Sequence, residues 1–510
     1  MILTVDMGTS VTKVTAWDDA GPRGWGRAEL ETTFGPGGRV EQDPATWWTS
    51  IATACAAARE HATAPGGAVA LGRVEAVCFS AARQTFVPVT AAGEPIGAGI
   101  VWSDRRASAE VPALAATLGG VEAVRQRTGM VLDGAAVAAK IAWLAHHEAP
   151  RLHEARWLLS PRDLAVLSMT GVVVTDTTLA SASGLYDASL APIPALAGDG
   201  TGRLPEVVVP STVVGNLRAG PAGALGLPAG IPVVVGAGDR ACEAVGTGAG
   251  PTLPTLSWGT TANVSVPVDL RPGTLPAGLV VTAGALGGWL LEGGLSAAGS
   301  LLTWLSGITG DDITTLMAEA AASSPGARGV TATPWLGGAR APWWRDHARA
   351  AFVGLGFEHQ RGDLTRAAIE AVAHDATACM RAIADSVVAA PAELAASGDG
   401  AHSALWLEIL AAMTGLPVVR RRWGEAASAG AAIIGAGAVG IDLTLDGIDP
   451  VRDVLAPDEA LARRYRELLP RMAHVATEIL ALEGGGGGER GPADEGPSEE
   501  CAPAEGTVAD

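Results

Sequence analysis

The feature that most constrains this chain is a short pattern that occurs twice, about half the chain apart. MGTSVTKV (7–14) and WGTTANVSV (258–266) share an apolar residue, Gly-Thr, a second hydroxyl and a return to β-branched residues. Each follows a short apolar run, as a strand–turn–strand would. A match of this length is weak by itself, but the placement predicts two related lobes, each offering a hydroxyl-lined hairpin loop to a shared cleft. The chain has 510 residues, too many for one hydrophobic core, and two lobes of roughly 240 residues each are expected. The boundaries predicted are 1–243 for the first lobe, 244–482 for the second and 483–510 for a tail.

Between the two loops, β-branched runs alternate with alanine-rich stretches. Strands are predicted at 1–8, 73–80, 98–104, 231–239, 255–259 and 416–421. Helical spacing of apolar residues predicts helices at 44–60, 135–148, 312–323, 363–389, 404–414 and 426–438. Such alternation implies mixed or parallel sheets covered by helices. The 67 glycines fit a molecule with many tight turns and small residues at its packing surfaces.

The remaining totals exclude several classes. A net charge of −19 leaves nothing to offset phosphate repulsion, so nucleic acid is not an expected partner. Cysteines at 55, 78, 242, 379 and 501 form no CxxC pair and read as reduced thiols, which suits the cytoplasm. Asp6 sits inside the first apolar stretch, which argues against a signal peptide. The weakly charged stretch 272–310 is broken by Glu292 and many glycines, so no membrane span is expected there. From Glu483 onward, five consecutive glycines and many carboxylates predict a disordered acidic tail.

Three loops could hold a nucleotide. In DMGTSVTK (6–13), Gly8 permits a tight turn, and Thr9 and Ser10 offer hydroxyls and backbone N–H groups. Lys13, one of only two lysines in the chain, adds charge, and Asp6 at the strand end could hold Mg²⁺. An ordinary hairpin turn with a surface lysine explains this segment equally well. The second loop is the SWGTT repeat, and the third is ASGDGAHSALW (396–406), a Gly-rich strand-to-helix turn. There is neither a G-x-x-x-x-G-K-[ST] loop nor a G-x-G-x-x-G turn between strand and helix, so ATP would have to be held another way.

VVVGAGDRACEAVGTGA (233–249) runs a buried strand into a turn ending at Asp239, where a carboxylate can accept a proton from a hydroxyl. Asp239 also suits the N-cap of the Ala-rich helix that follows, and the two roles are compatible. FSAARQTFVPV (79–89) and IVWSDRRA (100–107) bring Arg83, Gln84 and Trp102 to strand ends. Planar hydrogen-bonding groups beside a flat apolar face suit polyols, although loop polarity around a core tryptophan accounts for the same residues.

Taken together, these segments resemble the FGGY carbohydrate kinases over nearly the whole chain to about residue 480. DMGTSVTK, VEQDPATWW (40–48), TGMVLDGAAVAAKIAWLAHHEAP (128–150), GAGDRACEAVGTG, SWGTTANV, TPWLGGARAP (333–342), the stretch 350–373 and GDGAHSALW (398–406) follow the family's order. The resemblance implies a two-lobed actin-like ATPase (ribonuclease H-like) α/β fold, with mixed sheets flanked by helices and an ATP cleft between the lobes. By resemblance, Asp239 is the catalytic base and Asp6 a Mg²⁺ contact. Thr9, Ser10, Lys13, Gly259, Thr260, Gly398, Asp399 and Ser403 contact ATP, while Arg83, Gln84, Trp102, Asp239 and Arg240 face the acceptor. The acceptor is a small sugar or polyol, D-xylulose or a related ketose first, with glycerol, another polyol or an aldonate as alternatives. A catalytically silent nucleotide-binding regulator is the rival from another class. No nucleic acid or membrane partner is implied, and a homodimer is compatible.

The sugar side departs from the family. Arg83-Gln84 stands where xylulose kinases carry Met-His, Arg240 where Asn or Gln is usual, Asp399 in place of a glycine and Ala339 in place of a glutamate. Arg83 and Arg240 on opposite walls would make a charged pocket that attracts acidic sugars. Alternatively, each pairs with a neighbouring acid such as Asp104 or Glu243.

Overall fold

The computed structural model describes residues 1–60, 71–387 and 389–484. The tail predicted from 483 therefore lies outside the described residues from 485 on.

Each lobe is built on one twisted sheet. The first has the order Val213–Asn216, Pro232–Gly238, Ala76–Ala81, Ile2–Met7, Val11–Asp18, Gly21–Glu29. Ile2–Met7 runs antiparallel to Val11–Asp18 and parallel to Ala76–Ala81, which is parallel to Pro232–Gly238. The second has the order Val280–Ala283, Trp289–Leu295, Ala262–Val268, Thr255–Trp258, Leu394–Ser397, Val418–Arg421, Val451–Leu455. Here Thr255–Trp258 runs antiparallel to Ala262–Val268 and parallel to Leu394–Ser397, which is parallel to Val418–Arg421. The duplicated sequence pattern is thus a duplicated hairpin, placed identically in two sheets.

Strands such as Ile2–Met7 and Ala76–Ala81 are buried almost throughout because helices cover both faces. The helix Ala426–Val439 comes from the second half of the chain yet packs on the first sheet, placing Ala431 and Ile434 against Ile2, Cys78 and Val234. It crosses the helix Asp239–Thr247 at a glycine contact. A Cβ on Gly246 would lie 1.9 Å from the Ala426 carbonyl oxygen, and one on Gly430 would lie 1.9 Å from that of Cys242. Two helices can approach this closely only where both lack a side chain.

Helices appear at Pro44–Glu60, Val137–His147, Ile313–Ala322, Arg361–Ala384, Ala404–Thr414 and Ala426–Val439, close to their predicted spans. The strand predicted at 98–104 is a correction: only Gly99–Ile100 pairs. Beyond it, the Val101 carbonyl accepts from the Lys140 ammonium and from the Asp104 N–H, which turns the chain out of the ladder. The stretch 272–310 supplies two strands of the second sheet and the helix Gly299–Thr309. Among the described residues, no helix is long and apolar enough to cross a membrane.

Candidate active site

The first loop turns where the Gly8 N–H donates to the Val11 carbonyl at 3.1 Å, and a Cβ at Gly8 would come within 2.8 Å of that oxygen. Asp6 is the penultimate residue of the preceding strand, in register with Lys13 on one side and Ser80 on the other. Burial pushes its carboxyl up to about 6; Ser80 and Lys13 pull it down, while Asp239 and Glu425 push it further up. Lys13 is drawn to Glu425, with Nζ 2.8 Å from Oε2. Burial lowers the Lys13 pKa, but Glu425, Asp6 and Asp399 together carry it above the usual lysine value.

Thr9 ties the loops together: its Oγ1 accepts from Trp102 Nε1 at 2.8 Å, and its carbonyl accepts from Gln42 Nε2 at 2.6 Å. Ser10, Gly259 and Thr260 are exposed at the two hairpin tips. The Thr260 carbonyl receives the Ala298 and Ser300 N–H groups, which docks the helix Gly299–Thr309 under the second loop. Gly398, at φ +77°, leaves no room for a Cβ, which would sit 2.2 Å from the Trp258 carbonyl oxygen. The third loop is thereby pressed onto the strand that carries the second. Asp399 is exposed, and its charge reaches Lys13. Ser403 caps the helix Ala404–Thr414, its hydroxyl accepting from the Trp406 N–H at 3.4 Å.

Asp239 stands between these loops. Gly236, at φ +71°, has no room for a Cβ beside the Phe79 carbonyl, and the strand register shifts there. This kink delivers the chain to the helix Asp239–Thr247. Gly238 takes the N-cap position, so Asp239 is the first helical residue and its carboxylate is not spent on capping. Oδ1 accepts from the Arg240 N–H at 2.7 Å and lies 3.5 Å from Arg83 Nε.

Neither predicted pocket arginine is free. Arg83 grips Glu292 with two bonds, 2.7 and 2.8 Å, and Glu292 is 0 % exposed. Burial works against the Glu292 carboxylate, yet Arg83 and the Thr282 hydroxyl hold its pKa below the usual value. Arg240 folds along its own helix to Glu243 at 3.0 Å and to the Ser257 hydroxyl at 3.1 Å. The charged pocket predicted from Arg83 and Arg240 is therefore corrected. Arg240 takes Glu243, as the alternative had it, but Arg83 takes Glu292 instead of Asp104, which Arg106 holds.

Among the described residues, one guanidinium in this region has neither an ion pair nor a hydrogen bond to its Nε. Arg340 is half-buried, with Trp102 and Trp344 ring centroids 5.9 and 5.7 Å from its Cζ, and its Nε is buried without a hydrogen bond. Burial lowers its pKa; Asp133 opposes this, while Arg105, Arg240 and Arg83 reinforce it. No ion pair reaches it among the described residues.

Two family models match the chain: the N-terminal domain of the FGGY family of carbohydrate kinases over residues 1–246, and its C-terminal domain over residues 255–439. The chain belongs to this family. A xylulose kinase of Streptomyces coelicolor is 29 % identical over 491 residues, covering 92 % of this chain and 96 % of that protein. A glycerol kinase of Alkalilimnicola ehrlichii is 31 % identical, covering 86 % and 90 % respectively. The crystal structure of a xylulose kinase from Rhodospirillum rubrum superposes with a TM-score of 0.82 at 26 % identity, over 94 % of this chain and 99 % of that one. As an FGGY kinase, the chain has the two-lobed actin-like fold and is an ATP-dependent phosphotransferase with an alcohol group as acceptor.

Within this FGGY kinase, three residues at the site escaped the sequence reading: Glu292, Arg340 and Glu425. Glu292 left a signal, because a lone carboxylate inside the apolar run WLLEGGL requires a buried cation. Arg340 and Glu425 left none, since nothing local distinguishes them from the many other charged loop residues.

Proposed function

We propose that this FGGY kinase transfers the γ-phosphoryl group of MgATP to a hydroxyl of a small sugar, with D-xylulose or a related ketose as the acceptor and Asp239 as the general base. The observation that carries this reading is the Asp239 carboxylate, uncommitted to capping and restrained on Oδ1 only. Its Oδ2 takes the acceptor proton as the new O–P bond forms, and the bond from the γ-phosphorus to the bridging oxygen breaks to release ADP. Backbone N–H groups and hydroxyls of Thr9, Ser10, Gly259 and Thr260 line the phosphates. Lys13 contributes charge once Glu425 is displaced or shared, and Gly398, Asp399 and Ser403 border the nucleoside. On the sugar side, Trp102 offers its flat face, with Arg83 and Gln84 beside it. The segments 40–48 and 128–150 favour the ketose.

Mg²⁺ fits Asp6. The negative charge of Asp239, at the end of a strand in the same sheet, pushes the Asp6 carboxyl up, and the described residues include no cluster of three or more acidic, His or Cys ligands. One carboxylate completed by phosphate oxygens and water is how Mg²⁺ binds with a nucleotide. The ion supplies charge neutralisation of the phosphates.

Phosphorus NMR of a reaction with MgATP and D-xylulose is expected to show a new phosphomonoester resonance, and its carbon coupling locates the hydroxyl. No such resonance with any ketose would remove the ketose reading.

Arg340 favours a second reading, an aldonate. A carboxylate would supply the acceptor that this guanidinium lacks, in a site where its neighbours are already paired. On that reading, Arg340→Gln raises the KM for a sugar acid about tenfold or more, the worth of one charge-assisted hydrogen bond, and leaves the ketose KM within about threefold. A wild-type enzyme that ignores every sugar acid contradicts it.

A further inference from the structure

Lys140 is the second of the chain's two lysines among 35 Lys and Arg residues, and its side chain is fully buried. It rises from the helix Val137–His147 and donates from Nζ to the Val101 carbonyl at 2.8 Å; the Trp102 and Gln84 carbonyls lie 3.4 and 3.5 Å away. Those oxygens belong to the two loops that carry Arg83, Gln84 and Trp102. Among the described residues, no carboxylate pairs with the ammonium. Asp104, the nearest acid by charge, is 0 % exposed and already bound to Arg106 and to the Val40 N–H at 2.6 Å. Only a compact group with three divergent N–H bonds fits converging carbonyls, which explains a lysine where this chain otherwise uses arginine.

The loops it joins need restraint. Gln84 has φ +63°, a left-handed conformation uncommon outside glycine. The same two loops are otherwise sewn by Phe86–Ile100 backbone bonds and by the Trp102 N–H donating to Thr85 Oγ1 at 3.0 Å. We propose that Lys140 is a positioning residue for the acceptor: its ammonium clips the two sugar-facing loops together and so fixes Arg83 and Trp102 toward the substrate. This rests on the sugar-kinase reading of the pocket.

A pH dependence follows. Burial lowers the Lys140 pKa to about 7; Asp104 and Asp133 raise it, and Arg106 and Arg105 lower it. His146 and His147 on the same helix face Glu110 instead. Above neutrality the ammonium loses a donor and turns a lone pair toward carbonyl oxygens, which loosens the clip.

The test joins kinetics with two readouts that need no turnover. Lys140→Met is expected to raise the acceptor KM about tenfold, with the ATP KM unchanged, and to speed hydrogen exchange at the amides of 84–86 and 100–103 relative to the rest of the lobe. In the wild-type protein, lysine labelled with ¹³C at Cε gives two resonances, assigned through Lys13→Arg. The Lys140 resonance should titrate near neutrality, together with amide exchange in the two loops. Unchanged exchange in a folded Lys140→Met variant overturns the proposal, as does an ordinary lysine titration in the wild type should that variant fail to fold. A wild type that shows the titration and the loop coupling but no acceptor-dependent ADP release overturns the sugar-kinase reading alone.

Discussion

Asp239→Asn is expected to lower kcat by about 10²–10⁴-fold, the usual worth of a general base, while the affinity for ATP stays nearly unchanged. The amide keeps the shape and can still accept the Arg240 N–H on its oxygen, so the helix start survives. Arg83 loses a negative charge 3.5 Å from its Nε but keeps both bonds to Glu292, so the buried ion pair across the cleft remains satisfied. What disappears is the group proposed to take the acceptor proton. Steady-state kinetics with calorimetric ATP binding on the same preparation separate the two effects. A variant that retains more than about a tenth of wild-type turnover places the base elsewhere.

Much of this architecture is legible in the sequence, for physical reasons that differ between elements. The hairpins at 7–14 and 258–266 are visible because each places Gly-Thr and a second hydroxyl between short strands. The helix Ala404–Thr414 is visible because Ser403 caps it and its apolar residues recur at helical spacing. Other elements hide. The helix Glu459–Gly484 contains Pro470, which reads as a breaker, although Tyr465 anchors it through a 2.7 Å bond to Glu370. The helix Gly299–Thr309 has no capping side chain and lies within a glycine-rich stretch. At the site, Asp239 is legible because its strand and turn are local. The Arg83–Glu292 and Lys13–Glu425 pairs join residues more than two hundred positions apart, which no local pattern records.

Gly246→Val is expected to be the most damaging single change outside the site. A Cβ there overlaps the Ala426 carbonyl at 1.9 Å and approaches the Gly430 nitrogen at 2.8 Å, and backbone on both sides has nowhere to move cheaply. Overpacking of a close contact costs about 1–3 kcal/mol and more when backbone must shift, so the melting temperature should fall by several degrees. Activity should fall further than stability does, because the crossing helices begin at Asp239 and just after Glu425, and forcing them apart moves the carboxylate away from the Lys13 loop. Gly246→Ala and Gly430→Ala strain one contact from opposite sides, so their combined cost should be less than the sum. A Gly246→Val protein with wild-type melting and turnover would mean that the helices do not meet there.

The central claim is that the cleft phosphorylates a small hydroxylated acceptor and does more than hold a nucleotide. Coupled ADP release, followed over ketoses, aldonates and polyols with saturating MgATP, tests it most directly. The account predicts turnover that requires one of these acceptors, saturates with it and is lost in Asp239→Asn. ATP binding without acceptor-dependent ADP release from any of them would contradict it and mark the chain as a silent nucleotide-binding protein.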